Sequence, residues 1–171
     1  MKEVLFLKDI PYGFCGMPCA LCPYYHTKGI SRCKGCSHDG FFNGACNIYK
    51  CCKSKDLLHC AICAEYPCKK CTSLKEFNCL DTGSVWLRTV STIQSSTFEN
   101  WYTEYQRRTE LLDLALEQYN NGRMKRYLCE LFINNDIEKL ELIMKHASSL
   151  TGNKRELSLK FRELVITILE K

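Results

Sequence analysis

Four pairs of cysteines carry the spacing by which short turns present two thiolates to one metal ion: Cys19/Cys22, Cys33/Cys36, Cys60/Cys63 and Cys68/Cys71. Two intervening residues let both sulfurs reach the ion while backbone amides point back at them. Gly35, inside Cys33-Lys34-Gly35-Cys36, admits the positive φ such a turn uses. Zinc takes four ligands tetrahedrally, with Zn–S near ~2.3 Å. In chain order the cysteines divide into a first cluster, Cys15, Cys19, Cys22, Cys33 and Cys36, and a second, Cys46, Cys51, Cys60, Cys63 and Cys68. Each cluster holds one candidate more than a closed site needs. Two zinc ions are therefore expected, with the surplus cysteine of each cluster, and exchange of ligands between clusters, left open.

The remaining metal-binding residue types are weighed against plainer roles. His26, His38 and His59 lie near enough in sequence to replace a cysteine, but a solvated imidazole is the favoured reading of each. Cys52 and Cys79 are free thiols or weakly placed extra ligands, and Cys71, which closes the last pair, is intermediate. Cys129, between Leu128 and Leu131 in a helical pattern, reads as a buried structural thiol. Thiolate-only coordination also suits an iron–sulfur cluster, which is the alternative cofactor. The run Cys15-x3-Cys19-x2-Cys22 matches the spacing of radical S-adenosylmethionine enzymes. Those enzymes need a parallel α/β barrel, and the chain has neither the length nor the strand–helix alternation for one.

Thirteen of the 14 cysteines precede residue 80, where a core using cysteine as filler would scatter them. The opening run Met1 to Asp9 holds only four apolar residues between charges, too few for the core of a secretory signal. A cytoplasmic location is expected, and in a reducing compartment clustered cysteines are metal ligands or reactive thiols rather than disulfides. No apolar stretch approaches ~20 residues, so no membrane span is expected. Residues 1–80 carry 11 Lys or Arg against 6 Asp or Glu, while residues 81–171 carry 13 of each, so the net charge of +5 sits among the cysteines. A four-thiolate zinc site has a net charge of about −2, so the basic excess largely balances the thiolates.

The elements that must position these residues fall into two domains, a Cys-rich module over 1–80 and a helical domain over 81–171. The module holds all four prolines and six of the nine glycines, which predicts an irregular chain with short helices after Pro23 and around Ala61 to Leu74. Its apolar groups are few and local, so metal must supply folding energy. Beyond Ser84 the apolar residues recur at helical spacing. A short helix carries Val85, Trp86, Thr89, Val90 and Ile93. A second, with Ser96 and Glu99 as its capping box, carries Phe98, Trp101, Tyr102, Tyr105, Leu112, Ala115, Leu116 and Tyr119 and ends near Gly122. Three more follow, through Met124 to Phe132, through Ile137 to Leu150 after a cap at Asn135 or Asp136, and from Lys154 to Leu169. The fold class is mainly α, an irregular metal module followed by a bundle of four to five helices.

The runs Phe14-Cys15-Gly16-Met17-Pro18-Cys19-Ala20-Leu21-Cys22-Pro23-Tyr24, Cys33-Lys34-Gly35-Cys36, Cys46-x4-Cys51 and Cys60-x2-Cys63-Ala64-Glu65-Tyr66-Pro67-Cys68 carry a further signal. Over roughly residues 12 to 75 the chain resembles the small prokaryotic cysteine-rich family known as domain of unknown function 3795. Tyr119-Asn120-Asn121-Gly122-Arg123 and Tyr127-Leu128-Cys129 are similar to a helical extension in some of its members. The resemblance implies a zinc-binding protein of bacteria or archaea and no reaction. Cys52, Cys71 and Cys79 lie outside the shared pattern.

Three functions are compatible with these residues. The favoured one is a structural zinc module whose surface binds a protein partner, because closed four-thiolate sites leave no open position for substrate. A zinc-knuckle nucleic-acid binder is the second, from Lys28, Arg32, Lys34, Lys50, Lys53 and Lys55 interleaved with Tyr24, Tyr25, Phe41, Phe42 and Tyr49. The plainer reading of those lysines is charge balance, and of Arg123, Lys125 and Arg126 a solvated helix face. An iron–sulfur redox protein or enzyme is the third. No nucleophile elbow, phosphate loop, dinucleotide fingerprint or His-Glu-x-x-His helix is present, and a non-enzyme is favoured.

Overall fold

A computed structural model describes residues 10–36, 45–72 and 85–170. Among them are seven α-helices and no strand: α1 (Asn47–Ser54), α2 (Lys69–Thr72), α3 (Val85–Ser95), α4 (Phe98–Tyr119), α5 (Lys125–Asn134), α6 (Ile137–Ala147) and α7 (Lys154–Leu169). Single 3-10 turns cover Cys19–Leu21 and Cys60–Ile62. The mainly helical class expected from the sequence is the class found. The chain divides into two compact units, Met1–Ala20 with Cys33–Gln106, and Leu21–Arg32 with Arg107–Lys171. Composition changes near residue 80, whereas compactness groups α3 and the start of α4 with most of the cysteines.

The first unit is held by an aromatic core. Tyr12 meets Phe14, Phe98, Trp101 and Tyr102 at ring centroid separations of 5.6–5.8 Å. Trp101 stacks on Tyr105 at 5.1 Å. The apolar face of α3 (Val85, Trp86, Val90 and Ile93) is buried, as its spacing predicts, and α3 packs on the turn at Cys60. The Cys-rich segments thus share a larger core than their own apolar content foretells, because α3 and α4 lend them aromatic surface. Capping of α4 falls one residue later than the Ser96–Glu99 reading. The Thr97 Oγ1 accepts the Asn100 amide at 3.1 Å, and Ser96 Oγ instead donates back to Thr92 O.

In the second unit the predicted helical stripes are the buried ones: Leu112, Ala115 and Tyr119 on α4, Leu128, Leu131 and Phe132 on α5, and Leu140, Ile143 and Ala147 on α6. Helix α6 packs on α7, and Phe161 of α7 stacks on Tyr119 at 4.5 Å. Asn153 and Glu156 form the capping box that starts α7. Arg108 donates to the carbonyls of Phe132 and Asn135, supplying partners at the end of α5 that the helix itself lacks. The helix expected after Pro23 is absent. Residues 23–26 make a turn in which the Tyr25 and His26 amides both reach the Cys22 carbonyl, and the chain then passes Gly29 at positive φ.

Candidate functional site

Two groups of cysteines assemble within the first unit. The first forms where the segment 10–20 is pinned by α4. Tyr105, 2% exposed, donates its hydroxyl to Pro11 O and accepts the Ala20 amide, both at 2.7 Å. Tyr102 OH accepts the Ile10 amide. These bonds bracket Cys15 and Cys19. Gly16, between them, has φ +103 and lies so close to α3 that a Cβ would stand 2.8 Å from Trp86 O. The loop carrying Cys36 closes on the same segment, since Gly35, at φ +87, abuts the Pro11 ring and lies near Cys19. The positive φ foreseen for Gly35 is thus present.

Within this group Cys19 hydrogen-bonds to Cys36. That contact keeps the proton on Cys19, whose pKa is raised, and lowers that of Cys36. Burial, reinforced by the charges of Cys36 and Cys46, pushes Cys15 up to about 12. Cys46 caps α1, its Sγ accepting the Tyr49 amide at 3.4 Å. The Tyr49 ring packs edge-on against Phe14 at 5.5 Å, beside Cys15.

The second group lines one cavity of about 20 Å³: Cys51 and Cys52 from α1, Cys60 and Cys63 from the 3-10 turn, and Cys68 and Cys71 flanking and within α2. That is room for about one water molecule. Cys68 and Cys71 have their sulfurs 3.8 Å apart. Burial raises the pKa of both Cys60 and Cys71. Amides of Cys71 and Lys70 hold the Cys68 pKa below the usual thiol range. Lys70 Nζ lies 3.3 Å from Cys51 Sγ, and Lys55 Nζ lies 3.9 Å from Cys63 Sγ and 2.7 Å from Glu65. Two lysines of the basic excess therefore face sulfur, in line with the charge-balance reading. Lys53 lies over the Phe14 ring, and Arg32 over Tyr25.

Eight of the ten sequence-predicted ligands fall into these two groups: Cys15, Cys19, Cys36 and Cys46 in one, and Cys51, Cys60, Cys63 and Cys68 in the other. Cys33 Sγ accepts the Gly35 amide. Cys22 belongs to the second unit, where its charge acts on the buried Cys129. Cys79 and His38 lie outside the described residues. Among the described residues no three His, Cys, Asp or Glu side chains form a ready-made metal sphere as placed. The donors are nonetheless right for a soft or borderline ion. The 3.8 Å between Cys68 and Cys71 also equals the edge of a tetrahedron with Zn–S near ~2.3 Å. Cys71, read as intermediate, lines the cavity with the predicted ligands, and the tyrosine hydroxyls were not foreseen. The signals were the last Cys-x2-Cys pair and the Tyr102/Tyr105 spacing on a helix.

Removing the Tyr105 hydroxyl takes one bond from the buried Pro11 carbonyl and one from the Ala20 amide, which keep their bond to each other at 3.2 Å. Tyr105→Phe is therefore expected to lower stability by about 2 kcal/mol, measured as the shift of the denaturant midpoint at constant slope.

His59 is a correction to the solvated reading. It is fully buried against Phe98 and Trp101, because the turn at Cys60 tucks it beneath α4. The Ala61 amide donates to Nδ1, which places the neutral ring's proton on Nε2, and Nε2 has no hydrogen-bond partner among the described residues. Burial holds its pKa at about 3, against 6.5 for a free imidazole. The unfolded chain thus binds a proton that the folded chain refuses. This difference costs nothing above pH 7, and it grows by about 1.4 kcal/mol per unit as pH falls below 6.5. Stability measured from pH 8 to 4.5 is expected to fall about 2–3 kcal/mol more steeply for the native chain than for His59→Leu. Parallel curves would show that the imidazole is not held neutral.

No family model, curated protein or solved structure matches the chain.

Proposed function

We propose that this chain is a zinc-binding protein in which two structural thiolate sites hold the first unit together and maintain a surface for a protein partner. The observation that carries the reading is the gathering of the cysteines into two hydrogen-bonded groups, one with a sulfur pair at the tetrahedral edge length. Zinc, when bound, would cross-link these thiolates electrostatically and supply folding energy. The cavity beside Cys71, with room for about one water molecule, suits a single ion better than a four-iron cube. Lys70 and Lys55 would offset the −2 charge of a four-thiolate zinc site.

Such closed sites have no open position for substrate or water, which favours a structural role over catalysis. Leu58 and Ile62, 44% and 45% exposed around the buried Cys60 turn, are apolar groups a partner could cover. No helix of the described residues is long and apolar enough to cross a membrane. The reading is tested by the metal content and absorption spectrum of the purified chain. About two zinc ions and no visible absorbance support it, whereas a brown, iron-containing protein overturns it.

A further inference from the structure

Chain order would assign the first ion to the first five cysteines and the second to the next five. The packing groups them differently. Cys46 is not among the residues lining the cavity of the second group, which contains Cys71 instead. The N-terminus of α1 is anchored beside Cys15: Cys46 Sγ accepts the Tyr49 amide, the Tyr49 ring packs on Phe14, and Lys53, one turn further along α1, lies over the same Phe14 ring. On the other side of Cys15, Gly35 abuts Pro11 and brings Cys36 onto Cys19. These contacts bring the stretches that carry Cys15 and Cys19, Cys36, and Cys46 to one part of the first unit.

In the second group Cys71 Sγ lies 3.8 Å from Cys68 Sγ, and Cys60 lines the same cavity. Cys51 and Cys63 stand beneath the ammonium groups of Lys70 and Lys55. Cys52 shares the cavity but is a buried thiol of α1, 2% exposed.

The geometry points to an interleaved pair of metal sites, one built from Cys15, Cys19, Cys36 and Cys46, the other centred on Cys71 with Cys60 and Cys68 and completed by a thiolate from the Cys51–Cys63 rim. This inference rests on the metal-binding reading above and adds the partition of ligands. The two sites are then not beads on a string. Each is closed by residues distant in sequence, so each ion ties a loop back to the segment 10–20 or to α1, where loop closure makes a cross-link most effective.

The test compares zinc per chain, by competition with a chromophoric chelator, in the full-length native protein and in Cys46→Ser/Cys71→Ser, with Cys22→Ser/Cys33→Ser as the contrast. Interleaved sites require the first double variant to lose both ions at a chelator concentration that leaves the native protein with two, and the second to keep both. Retention of one or both ions by Cys46→Ser/Cys71→Ser overturns the partition, because chain-order clusters would leave the first five cysteines intact and Cys51, Cys60, Cys63 and Cys68 in the second. Less than one ion in the native protein overturns the metal reading itself. Should a variant fail to fold, alkylation of the native zinc-loaded protein decides the matter. Cys33 and Cys46 are both half-buried, so Cys46 and Cys71 must be protected until chelator is added while Cys33 is modified throughout. Equal modification of Cys33 and Cys46 before chelation contradicts the partition.

Discussion

Removing metal from the full chain with a chelator at neutral pH is expected to shift tryptophan emission to the red and abolish the cooperative melt that emission reports. Both tryptophans of the chain belong to the first unit, where Trp86 and Trp101 are 5% and 8% exposed. Each touches the segment that carries Cys15 and Cys19. Gly16 sits against the Trp86 carbonyl, and Tyr12 packs edge-on to Trp101 at 5.7 Å. A structural zinc site contributes about 10–16 kcal/mol at pH 7, which matches or exceeds the ~5–15 kcal/mol net stability of a typical domain. The aromatic core around Tyr12 cannot offset the loss of two such sites. Added zinc should restore the blue emission. Unchanged emission and melting in chelator would show that the core alone holds the unit.

The second large effect is expected of Gly35→Ala. The residue has φ +87, and an added Cβ would overlap the Pro11 ring, with Pro11 Cγ at 2.9 Å. The left-handed backbone costs a non-glycine residue about 1–2 kcal/mol, and the overlap with a rigid ring adds about 1–3 kcal/mol. The Cys33–Cys36 turn would have to leave the segment 10–20, taking Cys36 from Cys19. Gly29→Ala separates the two contributions, because Gly29 shares the positive φ (+92) with nothing within 4 Å of the added Cβ. Denaturant unfolding should therefore show a loss of about 2–5 kcal/mol for Gly35→Ala and about 1–2 kcal/mol for Gly29→Ala. Equal losses would mean that the Pro11 contact places no constraint on the turn.

The helices beyond Ser84 were legible because each buries one face, and burial writes a three-to-four residue period into the sequence. Their ends were less so. Thr97 and Ser96 offer the same hydroxyl one residue apart, and only the geometry of the Thr92 carbonyl decides that Ser96 turns back to it. Helix α1 was hidden by averaging proline and glycine over 80 residues, although residues 45–66 contain neither and Cys46 can cap as a sulfur acceptor. Candidate ligand types were visible from spacing alone. The partition proposed for them was not, because it rests on Gly35 reaching Pro11 and on Tyr49 reaching Phe14, contacts that chain order cannot express. His59 misled for a similar reason: a histidine beside cysteines reads as polar, yet an amide donor to Nδ1 and two aromatic rings make a buried neutral imidazole tenable.

Elemental analysis of protein purified without oxygen tests whether the cysteines of the first unit bind metal. Two thiolate zinc sites give close to two zinc ions per chain and a spectrum without bands above ~350 nm, since filled-shell zinc has no ligand-field or low-energy charge-transfer transitions. Iron and sulfide in the protein, with absorbance near ~400 nm, or a folded chain holding no metal at all, would contradict it.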